Sequence, residues 1–279
     1  MSQSMKEIKE ILQGTPTDAQ LESFKADTRA GVHKLVDSYY KRLEKAKQEE
    51  ARFAQMLSLE EKFMNEGAQY ICGVDEAGRG PLAGPLVIAS VILPYPVFIA
   101  GLNDSKQLSA KKRDQLYDEI MAKAVAISVN IVSISNIDKL NIYRATQVGM
   151  EEVIAHLAVK PQVALVDAMP VHVEGVKGVA IVHGDALSAS IAAASIIAKV
   201  TRDRLMEDLD KLYPEYGFAG HKGYGSALHM QAIREHGACA WHRRSYEPIK
   251  SMHLEPVEEE ENCIYSPLAD KFCYKVYKK

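Results

Sequence analysis

The sequence predicts an α/β protein in which a mixed sheet is flanked by helices and preceded by a helical extension. From residue 70 onward, short runs rich in β-branched residues alternate with longer helical stretches, as expected for strands and helices packed in layers. Before that point, apolar residues recur at helical spacing, and glycine is absent between Gly31 and Gly67. We expect a helical N-terminal extension over 1–68, an α/β domain over 69–254 and a C-terminal tail over 255–279.

The extension has the features of several helices. Thr17 with Gln20, and Ser58 with Glu61, fit the capping-box spacing, so helices are expected to start near those points. A charged run between Lys41 and Arg52 fits a solvated helix face or a surface that meets nucleic acid. One helix face is expected to be lined by a set of apolar residues: Val32, Leu35, Val36, Tyr39 and Leu43.

The α/β domain has alternating strand and helix patterns. Glycine and proline bound the strand-like runs, and helical patterns separate the later ones. We predict strands at 70–75, 86–93, 125–132, 162–167 and 178–182, and helices near 109–123, 143–158, 188–212 and 226–236. Beyond Glu255, an acidic run and an end rich in tyrosine and lysine indicate a loosely attached tail.

Composition excludes several classes of protein. The chain has 279 residues, of which 47% are hydrophobic and 25% charged, so it is neither disordered nor a disulfide scaffold. The longest apolar stretch is too short for a membrane span, and the polar N-terminus shows no secretory signal. Four cysteines lack metal-site spacing, so we expect reduced thiols and a cytoplasmic protein.

Charge is distributed unevenly along the chain. A net charge of −3 gives no overall indication of nucleic-acid binding. Residues 221–250, however, carry five lysines and arginines against two glutamates. Any surface that binds anions is therefore expected to be local.

Three segments bring carboxylates to the ends of apolar elements. Asp75 ends the first predicted strand and Glu76 follows it, Asp167 ends the fourth, and Asp185 precedes the helix near 188–212. Each has a structural alternative, because such acids also mark turns and cap helices. Brought together, they would repel one another unless divalent cations neutralised them. Hard oxygen ligands select Mg²⁺ or Mn²⁺, and two such ions suit phosphodiester hydrolysis.

The pair Asp75 and Glu76 raises a geometric condition. Adjacent residues of a strand face opposite sides of the sheet, so both can join one cluster only if the strand ends or bulges there. Asp203 differs from the other acids, because it lies within the helix near 188–212 beside Arg202, where a surface ion pair is expected. Small residues at the start of that helix let it lie close to the sheet: Ser188, Ala189, Ala192, Ala193 and Ser195.

A glycine-rich turn follows the first acidic pair. Its spacing also fits a dinucleotide fingerprint, but the prolines and the following β-rich run exclude the helix that such a motif must open. Gly78, Arg79 and Gly80 instead offer backbone amides beside a guanidinium, which suits a phosphate oxygen. Lys106 is a further candidate phosphate contact, although it could equally be solvent-exposed.

Aromatic residues between glycines follow in residues 216–229. Tyr216, Phe218 and Tyr224 could hold a ring against a sugar or a base. Four nearby histidines match no metal motif and are expected to be structural or to contact phosphate: His221, His229, His236 and His242.

Taken together, these blocks resemble the bacterial ribonuclease HII family. The resemblance covers about residues 68–250 and rests on five ordered blocks: DEAGRGPLAGP, DSK, the VDA strand end, GDALSASIAAASIIAKVTRD, and YGFAGHKGYG with HRRSY. It implies a ribonuclease H-like fold and an endonuclease that hydrolyses the RNA strand of RNA/DNA hybrids. It also implies incision at single ribonucleotides embedded in duplex DNA. The related ribonuclease HIII family usually has threonine where Arg79 stands here.

The resemblance also implies roles for individual residues. It places the catalytic, metal-binding carboxylates at Asp75, Glu76, Asp167 and Asp185. Asp75 would bridge two ions, Asp185 would hold the ion on the water side, and the other two carboxylates would hold the second ion. Two Mg²⁺ or Mn²⁺ ions per site would leave a 3′-hydroxyl and a 5′-phosphate. Contacts to the RNA-to-DNA junction would come from Gly78, Arg79, Gly80 and Tyr224.

Two other functions stay open at this stage. A carboxylate-metal phosphatase would share the metals but would not need the Gly-Arg-Gly turn or the basic flank. A noncatalytic nucleic-acid-binding module would tolerate the loss of a carboxylate, yet all four are present. We expect a monomer with no membrane contact that binds RNA/DNA hybrids and ribonucleotide-containing duplex DNA; the sequence does not indicate whether it has protein partners.

Overall fold

The computed structural model of the chain describes residues 3–256, 258 and 261–268. It divides into two compact units, Met1–Ala54 and Gln55–Lys279. The sequence placed a boundary later, at residue 68, so a helix assigned to the extension belongs to the second unit. Within the described ranges, no helix combines the length and the apolar character needed to span a bilayer.

The first unit is helical, as the sequence predicted. It contains α1 (Met5–Gln13), α2 (Asp18–Lys25) and most of α3 (Ala30–Met56). The capping box predicted at Thr17 and Gln20 is confirmed, since each side chain bonds the other residue's backbone. The predicted apolar face is confirmed in part, because Leu43 is exposed. The core of this unit comprises Ile8, Leu12, Phe24, Val32, Val36 and Tyr39.

The second unit is built on a six-stranded mixed sheet. Its strands, in chain order, are β1 (Ile71–Ala77), β2 (Leu86–Ile92), β3 (Ala126–Val132), β4 (Val163–Asp167), β5 (Lys177–Ile181) and β6 (Cys263–Tyr265). They lie in the order β5-β4-β1-β2-β3-β6. β1 pairs parallel with β4 and antiparallel with β2, so it occupies the centre of the sheet. The five strands predicted from the sequence are confirmed within a residue or two.

Helices flank this sheet and connect its strands. They are α4 (Ser58–Asn65), α5 (Ala110–Lys123), α6 (Ile134–Leu140), α7 (Ile142–Ala155), α8 (Gly184–Leu187), α9 (Ala189–Leu212), α10 (Phe218–His221) and α11 (Ala227–His236). The four predicted helices correspond to α5, α7, α9 and α11. The short α6, α8 and α10 were not predicted, because a helix of one or two turns leaves little periodicity to detect.

The close packing of α9 on β1 depends on small residues. A Cβ atom on Gly73 would lie 2.0 Å from the backbone carbon of Ser190, so only glycine lets the helix approach this strand. Ala189, Ala192 and Ala193 are fully buried along the same helix. The predicted close contact between this helix and the sheet is therefore confirmed.

The loosely attached tail predicted beyond Glu255 is wrong at β6. Cys263–Tyr265 pairs antiparallel with β3 and extends the sheet at that edge. This strand has only three residues and comes shortly after an acidic run. A strand this short carries no clear alternation of apolar and polar residues, so the sequence did not indicate it. Residues 269–279, also assigned to the tail, lie outside the described residues.

α4 joins the sheet to the segment before it. Phe63 is buried and packs with Ile71, Leu165 and Ile191. Glu60 is also buried, and its Oε1 accepts hydrogen bonds at the start of α9, at 2.6 Å from Ser188 Oγ and 2.9 Å from Ser190 N. The helix start predicted near Ser58 is confirmed, but the capping box is not, because the helix begins there without a side-chain cap.

These contacts predict where the chain can be shortened. A chain that begins at Gln55 should keep the melting temperature of the second unit, whereas one that begins at Glu66 loses the burial of Phe63. Removing a buried phenylalanine costs about 3–5 kcal/mol, and each kcal/mol lowers the melting temperature of a domain this size by about 2–4 °C. Full-length Phe63→Ala is the matched control. Equal melting of the two shortened chains, measured by circular dichroism, would contradict the assignment of α4 to the sheet.

Candidate active site

Three of the predicted carboxylates lie where the parallel pairing of β1 with β4 stops. That pairing ends at Val74 and Val166, while the antiparallel pairing with β2 continues to Ala77. Asp75 and Glu76 therefore lie beside an open edge on the β4 side, where Asp167 ends β4. β1 neither stops nor bulges at the acids, so the condition stated from the sequence is not met. The end of its pairing with β4 instead leaves an edge where both carboxylates can join one cluster. The Oδ1 atom of Asp75 accepts from the backbone N–H of Glu76 at 2.7 Å.

The fourth carboxylate comes from α8. Asp185 is 6% exposed, and the backbone N–H of Gly184, the residue before it, donates to Asp167 Oδ1 at 2.8 Å. This bond ties the start of α8 to the end of β4. Ser188, not Asp185, caps α9, so the capping alternative for Asp185 is wrong.

Burial and mutual repulsion disfavour ionisation of this group of acids. Burial is the main cause that raises the pKa of Asp75 well above its usual value, and the charges of Glu76 and Asp167 add to it. Burial also raises the pKa of Glu76, and Asp167 acts in the same direction against the nearby Arg79. The pKa of Asp185 is raised by burial and by Asp104 and Asp167. The four predicted acids therefore interact electrostatically, and we call them the carboxylate cluster.

Asp104 is an acid near the cluster that sequence reasoning missed. Its side chain accepts from the backbone N–H of Lys106 at 2.9 Å, and its charge raises the pKa of Asp185. The same short helical turn presents Lys106, whose Nζ lies 3.8 Å from Asp185 Oδ2. Partial burial lowers the pKa of Lys106, but the surrounding carboxylates raise it overall. The DSK motif was the available signal, but the sequence analysis predicted a role only for its lysine.

Two cations lie beside the cluster, one at each side. Arg79 Nη1 lies 3.7 Å from Glu76 Oε1, and Lys106 approaches Asp185. Across the part of the chain that the structure describes, no three Asp, Glu, His or Cys side chains are close enough together to hold a metal ion. The carboxylates thus influence one another's pKa values, but among the described residues they do not lie close enough together to coordinate a metal ion as they stand.

Two buried arginines hold the loop that carries Gly78, Arg79 and Gly80. Arg243 donates to the carbonyl oxygens of Gly78 at 2.6 Å, of Arg79 at 2.9 Å and of Gly84 at 2.8 Å. Arg202 donates to the carbonyls of Ala83 and Pro85 in the same loop, and to that of Lys222. Burial lowers the pKa of Arg202 to about 10 and also lowers that of Arg243. Arginine nevertheless keeps its proton in proteins, so both groups are charged.

These arginines overturn two expectations from the sequence. Arg243 was counted in the basic stretch expected to contact phosphate, but it is fully buried and bonded to carbonyls. The surface ion pair expected at Asp203 exists with Lys199, at 2.7 Å, and not with Arg202. Neighbouring sequence gives no indication that an arginine is turned inward, so these roles could not be predicted.

The three residues of the turn have different surroundings. Gly78 has a φ of +101°, and a Cβ there would lie 2.1 Å from Arg202 Nε. Glycine at this position is thus required by backbone conformation and by the packing of the arginine. Gly80 is exposed, and a Cβ there would meet only the Tyr224 ring, at 3.6 Å. The side chain of Arg79 is 42% exposed. Gly80 and Arg79 are therefore accessible to a ligand, and the contact predicted between the half-buried Gly78 and substrate stays a prediction.

Tyr224 is the accessible aromatic residue of the glycine-flanked segment. It is 50% exposed, whereas Tyr216 and Phe218 are buried. The backbone N–H of Leu82 donates to Gly223 O at 2.9 Å, which joins the Tyr224 segment to the loop held by the arginines. An exposed ring, an exposed glycine and a guanidinium thus lie together beside the carboxylate cluster.

Comparison with protein families places both parts of the chain. A family described as Ribonuclease HII matches residues 72–248, and one described as Ribonuclease HII N-terminal domain matches residues 4–64. The chain is 47% identical to the ribonuclease HII of Bacillus cytotoxicus over 251 residues, which are 89% of this chain and 96% of that protein. It is 50% identical to the enzyme of the same name from Bacillus cereus strain Q1, over 81% of this chain and 88% of that one.

Solved structures show the same fold. The ribonuclease H2 of Pyrococcus horikoshii aligns with a TM-score of 0.58 and 29% identity, over 66% of this chain and 97% of that one. The RNase HII solved in complex with PCNA from Archaeoglobus fulgidus aligns with a TM-score of 0.54 and 28% identity, over 64% and 95%. The ribonuclease H-like fold expected from the sequence is therefore confirmed.

The raised pKa of Asp75 predicts a stability effect. Its folded-state pKa exceeds its unfolded value, so the folded state binds protons more tightly and stability falls as pH rises through that window. Asp75→Asn removes this cost and keeps a hydrogen-bond acceptor. In EDTA at pH 7, the variant should melt several degrees higher than the parent, with less loss of stability above pH 5. Asp208→Asn, on the exposed side of α9, should not. An unchanged or lower melting temperature for Asp75→Asn would contradict the strained cluster.

Proposed function

The chain belongs to the ribonuclease HII family of ribonuclease H enzymes, which cleave the RNA strand of RNA/DNA hybrids, and we propose a specific form of that activity. The enzyme incises beside single ribonucleotides in duplex DNA as well as within hybrids, with two divalent cations, leaving 3′-hydroxyl and 5′-phosphate ends. The observation that carries the proposal is the position of the carboxylate cluster beside the exposed Gly80 and Tyr224. Carboxylates that could bind metal ions thus lie next to an exposed surface that could contact a sugar or a base.

The carboxylate cluster fits Mg²⁺ or Mn²⁺ in its donor chemistry. All its ligands are hard oxygens, which these ions prefer. Burial is the main cause of the raised pKa values of Asp75 and Asp185, and neighbouring carboxylates raise them further; Lys106 offsets the shift of Asp185 only in part. Divalent cations would supply the missing positive charge, and the acids would move closer together on binding because repulsion between them would fall.

The residues of the cluster would have distinct roles. We assign Asp75 to both cations, Asp185 to the one beside the attacking water, and Glu76 with Asp167 to the other. When bound, the ions would lower the pKa of a water and offset charge on the leaving oxygen. Burial of Asp75 keeps bulk water from competing for its oxygens. The bond from Gly184 to Asp167 holds that carboxylate in place at 2.8 Å.

Recognition of the substrate is assigned to the accessible residues of the loop. The minor groove of a hybrid is wide and shallow and displays the 2′-hydroxyl, which distinguishes RNA from DNA. The ring of Tyr224 would pack on the sugar of the ribonucleotide, and the exposed backbone at Gly80 would approach the phosphate. Arg79 and Lys106 would contribute contacts with phosphate that weaken as salt rises. A small phosphoester would need none of these contacts, which disfavours a phosphatase.

Three expectations from the sequence stay predictions. They are the role of residues 1–68 in binding substrate, the monomeric state and the cytoplasmic location. Within the charged run between Lys41 and Arg52, the basic positions that could contact duplex phosphate include Lys41, Arg42, Lys45 and Lys47. Arg42 donates to the carbonyl of Leu12 at 2.5 Å within the first unit, so one of these positions already has a structural partner.

The first kinetic prediction tests the cluster. Asp75→Asn should lower the turnover of a labelled duplex with one embedded ribonucleotide by at least ~10³-fold, because it removes an anion shared by both ions. Binding of the duplex, measured by fluorescence anisotropy, should persist or tighten as repulsion toward phosphate falls. Asp208→Asn is the control, and EDTA should abolish cleavage by the parent enzyme. Near-normal turnover of Asp75→Asn would reject the assignment of the metals to this cluster.

A second prediction separates sugar contact from phosphate contact. Tyr224→Ala should lower kcat/KM about tenfold or more on the single-ribonucleotide duplex, in the range of a lost stacking contact, with a smaller loss on an all-RNA hybrid. Arg79→Ala should weaken binding to both and flatten the dependence of affinity on salt. The buried Tyr216 is unsuitable as a control, whereas Tyr143→Ala removes an exposed tyrosine on α7. Equal small losses on both substrates would show that neither residue senses the ribonucleotide.

A further inference from the structure

Two fully buried histidines lie behind the segment that carries Tyr224. His229 belongs to α11 and His242 to the segment after it, and both are 0% exposed. Their Nε2 atoms lie 3.1 Å apart. Neither residue belongs to the carboxylate cluster, and both are too deep to contact substrate. We call them the histidine pair.

The neighbours at the two ends fix the protons of the pair. The backbone N–H of Cys239 lies 3.0 Å from His242 Nδ1 and can only donate, so that nitrogen has no proton. The carbonyl oxygen of Tyr224 lies 2.9 Å from His229 Nδ1 and can only accept, so that nitrogen carries one. With both rings neutral, one proton remains between the Nε2 atoms, on His242. The chain of bonds therefore runs in one direction, from Cys239 through His242 and His229 to Tyr224.

Added charge would break this arrangement. A proton added to His229 Nε2 would place two N–H groups face to face across 3.1 Å, and one added to His242 Nδ1 would face the backbone N–H of Cys239 across 3.0 Å. Burial lowers the pKa of His242 to about 3 and also lowers that of His229; His229 further opposes ionisation of His242, and His221 opposes that of His229. The pair thus stays neutral and keeps its direction through the pH range of a nuclease assay.

The other titratable groups that face the pair do not supply a compensating negative charge. The ring of His221 stacks on His229 with centroids 4.4 Å apart, and that of Tyr216 lies 5.0 Å from His242. Burial raises the pKa of Cys239, whose sulfur is 3.2 Å from His242 Nδ1, to about 11. Arg244 adds positive charge near His242.

The end of this chain is the backbone of Tyr224 itself. Its carbonyl accepts from His229 and also from the backbone N–H of Ser226, at 2.8 Å. Rotation of this peptide would break both bonds and would shift the ring that lies over Gly80. We propose that the histidine pair positions Tyr224, and so sets how well the enzyme senses a single ribonucleotide. This inference rests on the substrate role proposed above for Tyr224.

The kinetic test uses His229→Phe, which keeps a ring but removes both hydrogen bonds. We expect kcat/KM on the single-ribonucleotide duplex to fall about tenfold, with less than about threefold change on an all-RNA hybrid. The double variant with Tyr224→Ala should be no worse than Tyr224→Ala alone, because both act through one contact. His236→Phe, an exposed position on the same helix, is the control. Additive losses, or equal losses on both substrates, would overturn the positioning role.

A pH profile adds a readout that general destabilisation would not give. In His242→Phe, no N–H faces His229 Nε2, so that nitrogen becomes free to take a proton. While neutral, the His229 ring of this variant can also take the tautomer that lacks the Nδ1–H donated to Tyr224 O, whereas the doubly protonated ring always carries it. The ratio of single-ribonucleotide to all-RNA cleavage should therefore be lowered at pH 8 and recover toward the parent ratio at pH 6, whereas the parent ratio stays flat. A flat ratio in this variant would count against the proposal. If Tyr224→Ala itself leaves the ratio unchanged, the proposed function of Tyr224 fails, separately from the histidine pair.

A measurement on the unmodified protein keeps the inference testable if the variants fail to fold. Nitrogen-15 NMR of histidine-labelled enzyme reports which ring nitrogens carry protons. We expect a protonated Nδ1 on one buried histidine and a protonated Nε2 on its partner, with neither titrating between pH 5.5 and 8. Opposite tautomers, or titration of either ring near pH 6.5, would reject the arrangement.

Discussion

The site depends on two guanidinium groups that are buried beneath the loop over residues 78–85. Arg202 and Arg243 direct their N–H groups at backbone carbonyls, five of them in this loop. Loss of either arginine would leave buried carbonyl oxygens without donors, at a cost of about 1–3 kcal/mol for each unsatisfied group. The loop is thereby held at the end of β1, and the exposed positions Arg79 and Gly80 are kept next to Glu76. Lys222, bonded to Arg202 through its carbonyl, brings the Tyr224 segment to the same place.

The negative charge of the carboxylate cluster is compensated differently from the positive charge of the arginines. The arginines satisfy their charge within the protein, whereas the carboxylate cluster is left with raised pKa values and two flanking cations that are partly exposed. Uncompensated buried acids cost stability but bind divalent cations strongly, which is why they occur at sites of metal-assisted chemistry. In the proposed function, the loop held by the two arginines would contact a phosphate backbone, and the acids beside it would bind the ions. Substrate positioning and metal binding would thus, under this proposal, be carried out by different parts of the site.

The sequence could predict the sheet because its strands are β-rich runs bounded by glycine and proline, and it could place the acids because each ends or follows such a run. It could not predict that β1 continues through Asp75 and Glu76, since the open edge is set by where β4 stops. The buried arginines could not be predicted either. Arg243 lies in a basic stretch of the sequence, and only the fold shows that its guanidinium donates hydrogen bonds to backbone carbonyls. The histidine pair was expected to be structural or to contact phosphate, and burial at 0% supports the structural role.

Replacement of one non-bridging oxygen of the phosphate at the ribonucleotide by sulfur tests the central claim most directly. Sulfur binds Mg²⁺ poorly, whereas the softer Mn²⁺ tolerates it. If cations held by the carboxylate cluster contact this phosphate, one phosphorothioate isomer should be cut slowly in Mg²⁺, and Mn²⁺ should restore its rate toward that of the unmodified duplex. An equal loss in both metals would contradict direct contact, and no loss in either would place the cations away from the bond that is cut.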